Sequence, residues 1–405
     1  MSDNDTNDES TRRDYLKYGG AVVGGGLLAG CAGQSDSGST STSTETATNS
    51  TASTETETKA TSEGESSSVT MSPVGKVEFD SAPQSAVAFD DQWADILVAL
   101  GREDSLEGLG RPESFYQGYY DQLPGVSLDT DSLTPLFANE SSYDKELLYE
   151  LSPDVFHMDP LRAVQTNDNF DREDVDEVVE NVAPWFANRF SVYHNYDGDE
   201  PYEYYSVFEL TQKFAEVYQE TDRSAALREI YETMLADIES RLPPEEERPS
   251  VAVTFYSDGT FYAQPPLNNP GIGRAQYRIF GAKDAYEEYP DQQSFGGSHA
   301  MELMLEIDPD VIIQTLSLTP PHLIDPVRNG EVTGASDLTA VQEGRVYNGT
   351  TPFQGPIFTL FQTEAVARQL YPDEFGEFQG FDEPVPGNER LFDRQRVADI
   401  INGDS

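Results

Sequence analysis

The sequence predicts an α/β fold: two α/β lobes with mainly parallel sheets, joined by a single long helix. Three observations predict it. Short apolar runs alternate with helical patterns: Ala86-Val87-Ala88-Phe89 precedes Trp93 to Leu100, and Asp154-Val155-Phe156 precedes Asp174 to Val182. That rhythm marks strand–helix units and therefore parallel sheets. One long helix is read over Asp222 to Leu242, where Leu227, Ile230, Tyr231, Met234, Leu235 and Ile238 fall at helical spacing. On either side of it a segment repeats: Glu146-Leu147-Leu148-Tyr149-Glu150-Leu151-Ser152-Pro153-Asp154-Val155-Phe156 and Glu302-Leu303-Met304-Leu305-Glu306-Ile307-Asp308-Pro309-Asp310-Val311-Ile312. Each reads as a short amphipathic helix, a Pro-Asp turn and a buried strand. Such junctions are common in α/β proteins, but the glutamate lies eight residues before the Pro-Asp aspartate in both copies, which points to two related lobes.

Residues 1–30 read as an export signal. Twin arginines stand in Thr11-Arg12-Arg13-Asp14-Tyr15-Leu16-Lys17, a short apolar stretch runs from Tyr18 to Ala29, and Leu28-Ala29-Gly30 precedes Cys31. The stretch is shorter than the roughly 20 residues that a bilayer span needs. Together these elements make a Tat-type lipoprotein signal with Cys31 as the lipid-attachment site; a structural cysteine behind a short membrane anchor is the alternative. Cys31 is the only cysteine, so no disulfide forms within the chain. Residues 31–76 are read as the lipidated cysteine and a tether, because Ser35 to Thr70 holds 22 Ser or Thr among 36 residues and cannot bury enough surface to fold. Asn49-Ser50-Thr51, Asn139-Glu140-Ser141 and Asn348-Gly349-Thr350 are glycosylation sequons.

The first lobe is expected over 77–221, the helix over 222–242 and the second lobe over 243–405. Asp222 is placed to cap the helix and Pro243-Pro244 to end it; Val251-Ala252-Val253-Thr254-Phe255-Tyr256 then restarts a strand.

The chain carries 74 Asp+Glu against 25 Lys+Arg, a formal net charge of −49. That balance argues against nucleic acid and anionic lipid as partners. Only six of the 25 bases are lysine, a composition like that of extreme halophiles, where concentrated salt screens the repulsion. Disorder does not fit, since 21 Tyr and 21 Phe can build a core.

With these segments in order, the chain from about Gln84 to Phe375 resembles the substrate-binding lipoproteins of ABC importers for iron siderophores and cobalamin. Trp93-Ala94-Asp95-Ile96-Leu97-Val98-Ala99-Leu100-Gly101, both Glu…Pro-Asp segments, Leu338-Thr339-Ala340-Val341-Gln342-Glu343-Gly344-Arg345-Val346-Tyr347 and Ala365 to Pro372 carry the resemblance. It implies two lobes on one rigid helix, a ligand cleft between them, and partnership with an ABC permease and its ATPase. It also implies that Glu146 and Glu302 dock on permease arginines; ordinary solvated glutamates are the other reading. Lipid anchoring would hold a monomer at the outer face of the cytoplasmic membrane.

Cleft loops are expected at the C-terminal ends of strands. The candidate segments are Phe89 to Trp93, Arg111 to Tyr120, Met158 to Arg162, Trp185 to Arg189, Tyr256 to Gln264, Arg274 to Arg278, Thr315 to His322, and Phe353. They gather five arginines: Arg111, Arg162, Arg189, Arg274 and Arg278. Guanidinium groups can bind the oxygens of a ferric siderophore, and Tyr116, Trp185 and Tyr256 can offer flat contact to it. Arg111 and Arg274 are the preferred pair. Each arginine alone is more often a surface ion-pair partner, and the two tryptophans keep cobalamin open. The four histidines, His157, His194, His299 and His322, have no metal-ligand spacing, so no metal site or cofactor is expected, although direct iron or haem ligation stays an option.

No Gly-x-Ser-x-Gly elbow, P-loop or paired-cysteine motif occurs, so an enzyme is not expected. The reading is a binding protein that captures a ferric siderophore for import. Cobalamin or haem as ligand, a chelatase-like relative and a non-transport surface lipoprotein are the alternatives.

Overall fold

The computed structural model describes residues 66–137, 143–166, 170–293, 297–318, 322–381 and 383–404. The export signal, Cys31, most of the tether and the sequons at Asn49 and Asn139 lie outside the described residues. The tether reading overran its C-terminal end. Ser67–Met71 (β1) and Gly75–Phe79 (β2) pair as an antiparallel hairpin, and Val69 and Met71, two residues apart, are buried. Alternation with period 2 put both side chains on one face, a signal hidden by the serine-rich surroundings.

In the first lobe, β3 (Ala86–Ala88), β4 (Leu106–Leu109), β5 (Thr134–Pro135) and β6 (Val155–His157) form a parallel sheet in the order β5-β4-β3-β6. Helix α1 (Asp91–Ala99) is buried at every position but its first, in keeping with its mostly apolar composition; Gln92 and Asp95 are its buried polar residues. The helices α2 (Lys145–Leu151), α3 (Pro160–Thr166) and α4 (Arg172–Asn181) follow. Asp171 caps α4 reciprocally with Asp174, and Ser206 with Glu209 does the same for α5 (Val207–Tyr218), on which β1 packs.

Helix α6 (Thr221–Arg241) joins the lobes and runs 21 residues. Asp222 does not cap it: Glu220 holds the cap position without a side-chain bond, and Asp222 sits in the first turn, where its charge opposes the helix dipole's positive end. Pro243-Pro244 follow the helix as expected.

In the second lobe, β7 (Ser250–Ser257), β8 (Thr260–Ala263), β9 (Lys283–Asp284), β10 (Ser298–His299), β11 (Val311–Gln314) and β12 (Val346–Asn348) form one sheet. Its order is β10-β8-β7-β11-β12, with β9 also on β7. Strands β7, β11 and β12 are parallel, while β8 and β10 make an antiparallel edge. The helices are α7 (Ala275–Arg278), α8 (Met301–Ile307), α9 (Asp325–Arg328), α10 (Thr339–Gln342), α11 (Pro356–Leu370), α12 (Pro372–Phe375) and α13 (Arg394–Asn402).

The sequence repeat is a structural repeat. Both α2 and α8 are seven residues long and end on a left-handed residue, Ser152 (φ 42°) and Asp308 (φ 41°). Each Pro-Asp aspartate then clasps the start of the neighbouring strand. Asp154 accepts from the backbone of Gln84 and Ser85, and its own N–H donates to the Ser85 hydroxyl. Asp310 accepts from the backbone and hydroxyl of Ser250, and its N–H donates back to that hydroxyl.

The lobes share one hydrophobic core. It runs from Ala86 and Ala88 of the first sheet to Val251, Val253, Val311 and Ile313 of the second. Helix α11, buried at all 15 positions, packs against α1, α5, α6 and α7. Its N-terminus has glycine at the cap, and a first-lobe residue supplies what that glycine lacks: Asp95 accepts from Phe358 N–H (3.1 Å) and from the Tyr120 hydroxyl (2.8 Å). The chain then returns to the first lobe, where α13 packs on α6 and Asn402 donates to Pro124 O (3.0 Å).

Candidate functional site: the inter-lobe cleft

Both sheets point the C-terminal ends of their parallel strands at one cleft. Phe89, Asp90 and Asp91 follow β3, Arg111 follows β4, Phe137 follows β5, and Met158, Asp159 and Arg162 follow β6. Residues 184–186 lie parallel beside β6, so Arg189 occupies the equivalent place after an added edge segment. From the second lobe, Leu316 and Leu318 follow β11, and Thr351 and Phe353 follow β12. These residues, with Ser114, Tyr116, Tyr143 and Phe358, enclose a cavity of about 670 Å³. A neighbouring cavity of about 730 Å³ shares Arg162, Arg189, Leu316 and Phe353 with it.

The first cavity gathers three arginines, Arg111, Arg162 and Arg189, in a chain whose net charge is −49. Arg189 is oriented from three sides: Asp90 at 3.1 Å from Nε, the Phe353 ring 4.3 Å beneath the guanidinium, and its own N–H on Asp159 (2.8 Å). Arg111 lies over the Phe137 ring at 5.5 Å. Of the three carboxylates present, Asp90 is engaged by Arg189. Asp159 is committed to the N–H groups of Leu161, Arg162 and Arg189 and to the Tyr202 hydroxyl. Burial pushes the Asp91 carboxyl up to about 7; the charge of Asp90 adds to this and Arg111 opposes it. Near neutral pH the cavity therefore presents three guanidinium groups against carboxylates that are paired, hydrogen-bonded or partly protonated.

One lining residue is under backbone strain. Leu316 has φ of 58° and is 49% exposed, an apolar side chain presented to the cleft from a conformation that favours glycine. Its N–H is held by Thr350 O at 2.9 Å.

Of the residues expected in the site, the structure brings Arg111, Tyr116 and Arg162 together in the first cavity. The other four lie elsewhere. Trp185 is buried behind Phe89, stacked against Phe170 at 6.0 Å. Tyr256 packs on Phe261 in the second-lobe core, whereas its neighbours Phe255 and Ser257 line the 730 Å³ cavity. Successive strand residues face opposite ways, so the expectation missed by one position. Arg274, 1% exposed, donates to Pro265 O (3.1 Å) and Gly273 O (3.0 Å), and Arg278 donates to Asn269 O (2.7 Å) and Gly271 O (2.6 Å). These two arginines brace the loop before α7 and line neither cavity. The pairing of Arg111 with Arg274 across the cleft is thereby replaced by a cluster of Arg111, Arg162 and Arg189, all from the first lobe. Asp91 falls within the expected segment Phe89 to Trp93, whereas sequence reasoning missed Phe137 and Tyr143.

Glu146 and Glu302 each occupy the second position of a seven-residue helix, α2 and α8, and both are exposed. Two of the histidines, His157 and His299, brace the core. His157 bonds Phe186 O (2.9 Å) and the Tyr218 hydroxyl (2.8 Å), and burial lowers it to about 4; His299 meets the Tyr286 hydroxyl at 3.0 Å. Among the described residues no group of side chains could hold a metal ion, and no helix is long and apolar enough to cross a membrane. A third cavity, about 380 Å³, lies between α11 and residues 376–389 and shares no lining residue with the cleft; its arginine, Arg368, is committed to Glu377 and Glu389.

Two α/β lobes on a helical spacer, facing each other through strand ends across a cleft, define a bilobed solute-binding protein. The chain belongs to the periplasmic binding protein family, whose model matches residues 87–352. Solved structures with similar folds include a periplasmic binding protein from Veillonella parvula (18% identity, covering 75% of this chain and 97% of that one, TM-score 0.54). The petrobactin-binding protein YclQ from Bacillus subtilis is similar too (15%, 76% and 99%, TM-score 0.55). So is the iron-uptake substrate-binding protein PiuA of Streptococcus pneumoniae (16%, 74% and 96%, TM-score 0.50). At these identities the likeness is one of fold. No curated protein matches the chain.

Proposed function

We propose that the protein is the extracytoplasmic substrate-binding component of an ABC importer and that its ligand is a ferric siderophore. The observation that carries this reading is the cluster of Arg111, Arg162 and Arg189 in a cavity of about 670 Å³, ringed by the aromatic side chains of Phe89, Phe137, Tyr143 and Phe353. Anionic oxygens around a chelated iron suit such guanidinium groups, and flat rings suit an organic chelator. The family supports a binding role, and two of the similar folds carry petrobactin binding and iron uptake in their names. In this reading Cys31 bears the lipid that tethers a monomer outside the membrane, the acidic surface is an adaptation to concentrated salt, and Glu146 and Glu302 dock on the permease.

The test is a fluorescence-quenching titration of the purified chain in molar KCl with ferric catecholates, ferric hydroxamates, ferric citrate, cobalamin and haemin. Saturable binding of a ferric chelate, weaker without iron and lost in Arg111→Ala/Arg162→Ala, is the expected result. Binding of cobalamin alone would keep the transport role and discard the arginine argument. Failure of the whole panel on folded protein would overturn the reading.

A further inference from the structure

The cleft holds two chambers, and they are unlike in chemistry. They meet at a waist of four residues: Arg162 and Arg189 from the first lobe, Leu316 and Phe353 from the second. Volumes of about 670 and 730 Å³ each fall within the range of a whole ligand pocket, about 300–1,000 Å³. A compact chelate seated beside Arg111 therefore leaves the other chamber empty.

Beyond the waist, the second chamber has one charged side chain, Asp197. Its other polar side chains are neutral, those of Gln165, Asn195, Ser257, Gln264, Tyr193 and Tyr262, and Phe255 and Tyr262 give it flat surface. Tyr262 is 36% exposed, and with Leu316 it is among the few large apolar side chains left exposed in the described residues. Apolar surface left open inside a concave site is surface kept for a ligand.

Tyr193, which lines the chamber, is tied to the second lobe behind it. Asn269 of the second lobe donates to Tyr193 O at 3.0 Å, tying the lobes together there. Gly271 lies so close to the first lobe that a Cβ would stand 2.2 Å from Val192 O. Leu316, held in its left-handed conformation, projects at the waist where the chambers join.

We infer that the second chamber is a separate subsite, which takes a neutral, hydrogen-bonding aromatic or amide arm of the same ligand whose anionic head sits among Arg111, Arg162 and Arg189. This rests on the proposed function, and it adds that the ligand has two parts and that Tyr262 and Ser257 select for the second.

The test compares pairs of ferric chelates on the full chain in molar KCl. Each pair shares one iron-binding head, tris-catecholate or citrate-type, and one member carries an added neutral benzamide arm. The armed chelate is expected to bind at least about tenfold tighter than the bare one, the scale of one good aromatic contact with a hydrogen bond. In Tyr262→Ala, and in Ser257→Trp, which fills the chamber, that ratio is expected to collapse toward one. Equal binding of bare and armed chelates, or the same ratio in both variants, would overturn the subsite and leave the proposed function standing. Two armed chelates bound per chain would overturn it as well, showing independent sites. If no member of any pair binds, the proposed function falls and the subsite falls with it.

Discussion

At the scale of single residues, the cleft is governed by how its charges are compensated. Asp91 opens α1 beside Arg111, and burial holds its carboxyl up to about 7, against an ordinary value of 3.8. The folded state thus keeps a proton that the unfolded chain releases earlier. Asp91 therefore costs stability increasingly as pH rises from about 4 to about 7. The same ionisation places a negative charge beside the ligand, so affinity for an anionic ferric chelate is expected to fall between about pH 6 and pH 8. In Asp91→Asn that pH dependence should flatten, as read by titration at each pH; an unchanged profile would remove Asp91 from the site. Leu316 makes a second case. Replacement by glycine relieves a left-handed backbone worth about 1–2 kcal/mol but adds chain entropy of about 1 kcal/mol. Leu316→Gly should accordingly leave the denaturation midpoint nearly unchanged while weakening ligand binding. The two readouts separate a ligand contact from a packing defect. At this scale the sequence was half legible. Arg111 and Arg162 follow strands whose ends could be read. Arg274 and Arg278 stand in an equally aromatic stretch, yet they answer backbone carbonyls of Pro265, Gly273, Asn269 and Gly271, a need created only once the loop has folded.

At the scale of elements, the most legible feature was the repeated Pro-Asp turn, and the structure supplies its physical reason. In each lobe the aspartate ties the start of one parallel strand to its neighbour, reciprocally with a serine: Asp154 with Ser85, and Asp310 with Ser250. Parallel strands lack a hairpin to set their register, so a side-chain clasp at the strand start does that work. Asp310 is partly buried, and Asp310→Ala leaves the Ser250 N–H without its acceptor, at an expected cost of about 1–3 kcal/mol. The equivalent change at the more exposed Asp154 should cost less, since water can replace the carboxylate. Denaturant titration of the two variants measures the difference, and equal costs would refute the argument from burial. Elements set by weaker signals were misjudged. Strand β1 lay hidden because its two buried residues, Val69 and Met71, sit in a serine and threonine background. The cap of α6 fell at Glu220 rather than Asp222, a shift of two residues that periodicity does not constrain.

At the scale of the whole molecule, two related lobes are joined by one hydrophobic core. The repeat and the long helix were readable because both are local patterns. The shared core was not, because it depends on α11 crossing between lobes. Its burial on all sides follows from that position, and it needs a cap that its own sequence, starting Gly355-Pro356, does not provide. Asp95 provides it from 263 residues away, and Gly355 must be glycine there because a Cβ would come within 2.6 Å of the Asp95 carboxylate. Burial pushes Asp95 up to about 7 even though the N–H of Phe358 and the Tyr120 hydroxyl favour its charged form. Removing it in Asp95→Ala strands two buried donors, for an expected loss of about 2–5 kcal/mol. If the lobes form a single folding unit, that loss appears in both at once. Amide hydrogen exchange should then quicken together in β3 of the first lobe and β11 of the second, and both should share one denaturation midpoint in the parent and in the variant. A variant in which only the first lobe loosens would mean that α11 docks on an independently stable domain. In that case the cleft could open widely at the hinge. With a common midpoint, the core behind the cleft moves as one piece, and ligand entry is left to the loops at the strand ends.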